Sequence, residues 1–316
     1  MIFALTLTKT SMVGLLVATV EFGTLLYLAA LGETITEKAG VLNLGVEGMM
    51  ASGAAVGFIV GVETGSPWMG LLAGGLAGAA LSLVHALVAV GLGADQVVSG
   101  LALTLLGVGF ADFVGDGYTD DTRRAVFAPI RLPVLDDIPW VGEIVFRQAP
   151  VTYLALGLGV VTWFVLNRTS IGLGLRAVGE TASTADAAGH SVVRIRVGAV
   201  AVGGALAGMS GAYLTTYLVK SWSQNLTAGR GWIAVALVIF GAWRPGRVAI
   251  GALLFGFTLA LKSRLALFGV TFSPTLLDMT PYLLTIVVLV LLSIRARNKP
   301  SPAPAAIGVP YRREER

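Results

Sequence analysis

The sequence predicts an all-α membrane protein with about 8–10 transmembrane helices, and three observations support this prediction. The chain has 316 residues, of which 55% are hydrophobic and only 13% are charged, and its mean hydropathy is +0.82. That charged share is about half of the share in soluble domains, and a soluble fold of this size cannot hide so much apolar surface. A spanning helix needs roughly 20 apolar residues, so the length suffices for the spans and leaves no room for a large soluble domain.

The composition also excludes several function classes. The chain has no cysteine, which rules out disulfides, thiolate metal sites and cysteine nucleophiles. Its two histidines are too few for a histidine-rich metal site, and its apolar character excludes a disordered protein. We therefore expect no catalytic residue, no metal, no cofactor and no nucleic-acid partner. The net charge of +4 matters through the position of each charge relative to the bilayer.

The apolar segments succeed one another along the chain. We interpret the first as a retained span, because it lacks a clear cleavage site and a strongly basic flank. The second segment begins with the glycine-rich residues 40–50. These glycines predict a broken or re-entrant element near 32–62. The apolar runs cover residues 12–31, 41–62, 68–93, 96–115, 151–167, 197–219, 231–243, 248–261 and 281–294.

Basic residues in the loops predict the orientation in the membrane. The long loop 116–150 has no basic excess and is expected on the outside, whereas 168–196 and 244–247 carry excess arginine and are expected in the cytoplasm. Residues 1–297 form the predicted transmembrane domain. The proline-rich tail 298–316, which ends in YRREER, is predicted to be disordered and cytoplasmic. The sequence does not determine on which side of the membrane the N-terminus lies, because an additional broken element near 32–62 would move it to the other side.

Glycines spaced four residues apart predict close packing between spans. Such spacing lets helix backbones approach one another, which is how membrane helices associate without a hydrophobic driving force. The predicted packing stripes contain Gly53 and Gly57, Gly74 and Gly78, and Gly204 and Gly208.

Polar side chains within the apolar runs are candidates for a translocation path, because such groups are unfavourable inside a bilayer. Asn43, Glu47 and Gln96 are the main candidates. The alternative is structural: polar groups can hold a broken backbone together. For Glu21 and His85, hydrogen bonding between helices is the favoured interpretation.

The loop 168–196 is predicted to contain a short helix. Residues 180–188 are rich in alanine and favour a helix, and Gly189 follows where a C-terminal glycine is expected. A helix of about two turns is unstable alone in water. We therefore expect the lipid surface or a partner protein to hold it.

Three motifs resemble the permeases of ABC importers of the ribose, simple-sugar and nucleoside branch, including those of the basic-membrane-protein type that import nucleosides. The loop contributes RAVGE at 176–180 and AAGH at 187–190, where His190 replaces the isoleucine usual in the family. A second motif runs from LGE at 31–33 to GVLNLGVEGMM at 40–50. The third is GRGWIAVA at 229–236, followed by FG and RP. The resemblance covers roughly residues 10–295.

The resemblance implies one membrane subunit of an importer in the cytoplasmic (inner) membrane of the cell. It implies an ABC ATPase docked at the coupling loop 168–196, a second permease subunit, sister or identical, and an extracytoplasmic substrate-binding lipoprotein. The chain has no G-x-x-x-x-G-K-[ST] loop, so ATP and Mg²⁺ are expected on the ATPase. The residues that the resemblance assigns to coupling are Arg176, Gly179, Glu180, Ala187, Ala188 and Gly189.

Other functions remain open at this point. An ion-coupled secondary transporter would use Glu21, Glu47, His85 or Asp112 as its ion site, and a membrane scaffold is a third class. Within the importers, a nucleoside or similar small polar solute is expected. Ribose-like sugars and branched-chain amino acids are the alternative solutes.

Overall fold

The computed structural model describes residues 2–119, 121, 123–131, 133–264, 274–296 and 302–312. These residues are mostly helical and contain no β-strand, which confirms the predicted all-α class. Helices α3 and α8 continue as the π-helical segments Ala86–Gly91 and Leu214–Leu218. The α-helices are α1 (Ile2–Lys38), α2 (Val46–Thr64), α3 (Pro67–His85), α4 (Gln96–Gly115), α5 (Pro150–Arg168), α6 (Ser170–Glu180), α7 (Ala182–Ala187), α8 (Val192–Tyr213), α9 (Arg230–Phe240), α10 (Pro245–Arg264) and α11 (Pro274–Ala296).

Seven helices in the described part of the chain are long and apolar enough to cross a membrane. They are Met12–Lys38, Val46–Thr64, Pro67–Gly91, Gln96–Tyr118, Pro150–Arg168, Val192–Leu218 and Pro245–Lys262. Two shorter apolar helices are Arg230–Phe240 and Met279–Leu291. The prediction of 8–10 spans counted these two shorter segments, whereas seven helices among the described residues reach spanning length. The chain is a polytopic membrane protein.

Helices α2, α3 and α8 pack closely together, and their backbones touch at the predicted glycine stripes. A Cβ added to Gly53 would overlap the backbone of Gly208, and one added to Gly78 would overlap the carbonyl oxygen of Gly204. A Cβ on Gly74 would lie 2.6 Å from the carbonyl oxygen of Gly53. All three stripes therefore meet at one junction, where only small residues allow the helices to approach.

Helix α1 lies antiparallel to α8. Ser210 Oγ donates a hydrogen bond of 2.6 Å to the carbonyl oxygen of Leu25. Thr36 Oγ1 donates one of 3.4 Å to the carbonyl oxygen of Ala199. Since the contacts run in opposite order along the two helices, α1 starts at the end of the bundle where α8 finishes.

The loops define two ends of the bundle. The acidic-loop end contains residues 63–68, the described residues of 116–150, and 219–222. The coupling-loop end contains 168–191, 241–244 and 302–312. At the first end Arg123 Nη2 donates to Glu63 Oε1 at 2.9 Å, and the Trp68 and Phe127 rings meet edge to face with their centroids 4.9 Å apart. Because α1 is continuous as far as Lys38, no additional span is hidden near 32–62, and the N-terminal end lies with the acidic loop.

Cysteine labelling will test this arrangement in a chain that has no cysteine of its own. Asp137→Cys and Met12→Cys place exposed thiols at the acidic-loop end, and Thr184→Cys places one at the coupling-loop end. In intact cells, an impermeant maleimide is expected to label the first two and to label the third only after permeabilisation. Labelling of Thr184→Cys in intact cells, with none of Asp137→Cys, would reverse the orientation.

Two segments of the bundle that connect long helices are not helical. Residues 39–45 connect α1 to α2, and residues 219–229 connect the π-helical end of α8 to α9. The first is the broken element that the glycine-rich sequence predicts. The second is a re-entrant segment, which lies between the predicted apolar runs 197–219 and 231–243.

The C-terminal tail differs from its prediction. Residues 302–312 follow a defined path along the coupling-loop end, where Pro304 and Ala306 are buried. The backbone N–H of Ala306 donates to the carbonyl oxygen of Gly179 at 2.9 Å. Prolines suggested a disordered tail, but they also limit the conformations of the unfolded chain, and the apolar side chains between them supply a buried face. The remaining tail residues lie outside the described part of the chain.

Candidate coupling and translocation sites

Polar side chains from three helices support the break between α1 and α2. Glu33 Oε1 accepts a hydrogen bond of 3.1 Å from Asn43 N, and Gln96 Oε1 accepts one of 2.7 Å from Leu42 N. Asn43 Oδ1 accepts a bond of 3.0 Å from the backbone N–H two residues ahead. His85 Nε2 lies 3.1 Å from the Leu42 carbonyl oxygen. These bonds replace those that the backbone loses by leaving the helix.

Glu47 joins the two broken segments. It lies in the first turn of α2, and its side chain is buried, with 4% exposure. Its Oε1 accepts from Gly229 N at 2.7 Å, and its Oε2 accepts from Gly231 N at 2.6 Å. These N–H groups lie at the start of α9, where a helix favours negative charge. Since Gly48 packs against Gly107 in the middle of α4, this junction lies at the centre of the bundle.

These contacts favour the structural interpretation of the predicted path residues. Asn43, Glu47 and Gln96 are 0%, 4% and 1% exposed, and their oxygen atoms accept hydrogen bonds from backbone N–H groups. A role for these side chains along the translocation path remains a prediction.

Several other polar side chains in the spans bridge neighbouring helices. Tyr217 donates from its hydroxyl to Glu21 Oε1 at 3.0 Å, and His85 Nδ1 lies 3.0 Å from Ser99 Oγ. Asp95 instead caps its own helix, α4, by accepting from a backbone N–H three residues ahead at 2.8 Å. Among the described residues, no group of three or more His, Cys, Asp or Glu side chains is arranged to hold a metal ion.

Carboxylates of α1 also support the turn between α9 and α10, a feature that the sequence analysis missed. Trp243 donates from its indole nitrogen to Glu37 Oε2. Glu33 and Glu37 are each 1% exposed and lie one helical turn apart. One face of α1 thus supports the break 39–45 through the first carboxylate and the turn 241–244 through the second.

The re-entrant segment 219–229 descends along α4 from the acidic-loop end to the centre of the bundle. Trp222 is buried against Gly115, near the end of α4. One turn deeper, Asp112 Oδ1 accepts from Asn225 N at 3.0 Å. The segment ends at the Glu47 junction, so its backbone lies at membrane depth over about half the length of α4.

One side of this re-entrant segment is exposed and polar. Lys220, Ser223, Gln224 and Asn225 are exposed, and the segment turns through positive φ at Lys220 (60°), Asn225 (52°) and Ala228 (45°). Its sequence signal is the polar stretch SWSQNLT between two apolar runs. That stretch is too long for a tight turn and too polar for a span.

The coupling loop forms two helices, whereas the sequence analysis expected one. Helix α6 packs a small and apolar face onto the bundle, with Leu175 and Val178 buried. Its Gly179 is in backbone contact with Lys38 at the end of α1. Helix α7 follows directly and places Ala182 and Ala185 in the same buried cluster as Val178.

The glycine cap of α7 has the predicted form. Gly189 has φ +90°, in the left-handed region that favours glycine. Its N–H donates to the carbonyl oxygen of Asp186 at 2.9 Å, and the His190 N–H donates to that of Ala185 at 3.0 Å. This pair of bonds defines a Schellman motif.

The residues assigned to coupling do not all lie on one surface, since Gly179 is buried against α1. Arg176 Nε donates to the carbonyl oxygen of Gly172 at 3.3 Å and stays half-buried on α6. The exposed members of the set are Glu180, Ala187, Ala188 and Gly189. Small exposed side chains at the end of α7 leave its backbone open to close approach by a partner.

The C-terminal tail packs against the buried side of α7. Arg196 of α8, which is 2% exposed, donates from Nη1 to the carbonyl oxygen of Val309 at 3.1 Å. Tyr311 packs against the apolar cluster that contains Val178 and Ala182. The segment 302–312 therefore supports α7 on the side opposite to its exposed face.

Truncation of the tail will test this support. Removing residues 302–316 is expected to lower stability by roughly 1–3 kcal/mol, because a buried charge loses a hydrogen-bond acceptor, and to weaken coupling of transport to ATP hydrolysis. Removing residues 313–316 alone is the control and should leave both unchanged. Thermal unfolding and uptake in membranes are the measurements. Equal behaviour of the two truncations would show that 302–312 gives no support.

The bundle, its two broken segments and the short helix exposed at one end define a membrane transport subunit. The chain belongs to the family described as the permease component of the branched-chain amino acid transport system, whose model matches residues 15–292.

Named relatives agree with this class. The chain is 43% identical to a putative glucose ABC transporter permease protein, TsgC13, of Haloferax volcanii, over 95% of this chain and 98% of the relative. It is 36% identical to the guanosine ABC transporter permease protein NupQ of Bacillus subtilis, over 95% and 96%. It is 33% identical to the nucleoside ABC transporter permease protein NupC of Lactococcus lactis, over 85% and 88%. No solved structure matches the chain.

The chain is therefore a permease subunit of an ABC importer and a multi-pass protein of the cell membrane. It is a transport subunit and not an enzyme, and ATP hydrolysis belongs to a separate subunit. Family membership decides against the ion-coupled carrier and the membrane scaffold.

Proposed function

We propose that the chain carries a neutral, hydroxyl-bearing solute, a nucleoside or a sugar, across the membrane along the exposed side of the re-entrant segment 219–229. The observation that carries the proposal is irregular, polar backbone exposed at membrane depth. Hydrocarbon does not tolerate such backbone, which occurs only inside protein or along a water-filled cavity. The segment is therefore expected to line a hydrated path.

The remaining exposed surface of the spans supports this assignment by contrast. On α3 and α4 the exposed side chains are large and apolar, with Leu72 at 57%, Leu105 at 76% and Phe113 at 82% exposure. Such faces suit lipid or another helix. The side chains of 219–229 differ from them in polarity at the same depth.

The chemistry of the segment favours a neutral solute. Residues 221–229 contain serine, glutamine, asparagine and threonine but no ionisable side chain. Amides and hydroxyls match the hydroxyls and ring nitrogens of a nucleoside or a sugar, whereas an amino acid would bring two charges that need partners. The relatives named for glucose, guanosine and nucleosides point in the same direction.

The partners follow from the two ends of the bundle. An ABC ATPase would bind the exposed face of α7, and Mg²⁺-ATP would bind to that subunit. An extracytoplasmic binding protein would meet the acidic-loop end, where Val134 and Trp140 are 79% and 54% exposed outside the spans. Hydrogen bonds from Arg147 lower the pKa of Asp136, and those from Arg123 lower the pKa of Asp121, so both carboxylates are ionised near neutral pH. A sister or identical permease would complete the path.

A solute panel tests the function directly. The chain is co-expressed with its partner subunits, and uptake of labelled guanosine, glucose and leucine is compared. We expect ATP-dependent uptake of guanosine or glucose, and none of leucine. Uptake of leucine alone would contradict the proposed solute class while leaving the importer class intact.

Thiol modification tests the proposed path. Ser223→Cys places a thiol on the exposed side of the re-entrant segment, and a charged methanethiosulfonate is expected to reduce uptake at least tenfold by filling the path. Phe113→Cys is the matched control, since its side chain is 82% exposed on an apolar face, where a hydrophilic reagent reacts poorly. Full uptake after complete modification of Ser223→Cys would exclude this surface.

A further inference from the structure

Arg196 is a buried cation whose hydrogen-bond donors are mostly unpaired. Arg196 is 2% exposed. Among the described residues only its Nη1 atom has an acceptor, the carbonyl oxygen of Val309. In that part of the chain, neither its Nε nor its Nη2 atom has a hydrogen-bond partner, and both atoms are buried. Within the described residues Arg196 forms no ion pair. An unpaired buried charge is strongly unfavourable, so these donors indicate a missing anionic partner.

A cavity lies beside this guanidinium, between α7 and the tail. Its volume is about 450 Å³, within the range of roughly 300–1,000 Å³ typical of small-molecule sites. Arg196, Arg312, Ser183 and Tyr311 supply its polar lining, and none of the described residues that line it is a carboxylate. Ser183 and Arg312 are exposed, so the cavity is accessible from the coupling-loop end.

We propose that this cavity binds a phosphate group. The two guanidinium groups can only donate hydrogen bonds, and the two hydroxyls can either donate or accept them. Such a set of groups suits an oxyanion that carries more than one negative charge. The guanidinium of Arg196 forms part of the cavity wall, and such a planar fork matches the geometry of phosphate oxygens. Free inorganic phosphate and the headgroup of an anionic phospholipid present the same chemistry at this end of the bundle.

The bound phosphate would link the tail to the coupling helix. Arg196 lies on α8, Ser183 on α7, and Tyr311 and Arg312 on the tail. One anion contacting these residues would hold the three segments together, and its loss would leave α7 less firmly supported. The site is independent of the transported solute, so the solute panel and the test below can fail separately.

Thermal unfolding of the full-length chain, purified with its partner subunits, tests the proposal. One arm uses phosphatidylcholine nanodiscs and titrates inorganic phosphate against chloride at matched ionic strength. The other arm adds phosphatidylglycerol to the nanodiscs without phosphate. We expect a saturable rise in Tm of about 3–5 °C in at least one arm. A rise in the first arm identifies free phosphate, and a rise in the second alone identifies the lipid headgroup.

Variants at the guanidinium make the test specific. Arg196→Met should abolish the rise and, without phosphate or anionic lipid, should match or exceed the Tm of the unsubstituted chain because an unpaired charge has been removed. Arg196→Lys should weaken the response by keeping the charge without the fork. Arg194→Met, two residues away and exposed, should respond like the unsubstituted chain. No saturable rise in either arm, or an equal rise in Arg196→Met, overturns the proposal.

Discussion

Glu47→Ala is expected to abolish uptake and to destabilise the centre of the bundle. The carboxylate is 4% exposed and accepts hydrogen bonds from Gly229 and Gly231 at 2.7 and 2.6 Å. Hydrogen bonds to a charged group contribute roughly 1.5–3 kcal/mol each. Alanine would leave both N–H groups buried without an acceptor and release the inner end of the re-entrant segment 219–229 from α2.

Two further substitutions separate this effect from a general loss of charge. Glu47→Gln keeps the shape and one good acceptor, so it should fall between alanine and the unsubstituted chain. Glu63→Gln removes a carboxylate that pairs with Arg123 at the exposed end, where ion pairs contribute about 0–1 kcal/mol, and should have no effect. Uptake and Tm in membranes are the measurements. Full uptake by Glu47→Ala would show that the junction is dispensable.

The fold class was predictable because the bilayer imposes it on the composition. Apolar runs of spanning length leave few architectures in a membrane, and spaced glycines identified the helices that touch. Gly57, for example, contacts Ala212 of α8 through space that a Cβ would fill. Whether an odd or an even number of spans precedes the acidic loop was not predictable. The glycine-rich residues 40–50 give the same sequence signal whether the chain turns back within the membrane or crosses it.

The partners of the polar side chains could not be predicted. The sequence singled out Glu47 because a carboxylate is unfavourable in a span, but its partners lie more than 180 positions further along the chain. Trp222 shows the same limit. The structure buries it against Gly115, which lies more than 100 positions earlier in the chain. Long-range packing decides both cases, and no local pattern encodes it.

At the coupling loop, the local sequence was sufficient to predict helix α7 and its glycine cap. An alanine-rich stretch followed by glycine is sufficient to define a capped helix, because both the helix propensity and the left-handed cap depend on neighbouring residues alone. The predicted helix 180–188 is shorter in the structure, Ala182–Ala187, since Thr181 adopts an extended conformation between α6 and α7. The tail was mispredicted because its order comes from contacts with α6 and α8.

Substitutions at the end of α7 are expected to uncouple ATP hydrolysis from transport. Ala188 is exposed, so Ala188→Glu should leave the fold intact while placing a charged side chain against the ATPase. Gly189→Val forces a β-branched residue into φ +90°, which disfavours the cap by on the order of 1–3 kcal/mol. Each change should reduce binding-protein-stimulated ATPase activity at least tenfold, with uptake falling in parallel.

The matched control lies at the opposite end of the molecule. Gly65 caps α2 with φ +65° and has open space around its Cβ position, so Gly65→Val introduces similar backbone strain far from α7. It should leave stimulated hydrolysis unchanged in reconstituted vesicles. Co-purification of the ATPase separates loss of docking from loss of signalling after docking. Because Ala188→Glu does not disturb packing, full stimulation and full uptake in this variant would show that the exposed face of α7 is not where the ATPase acts.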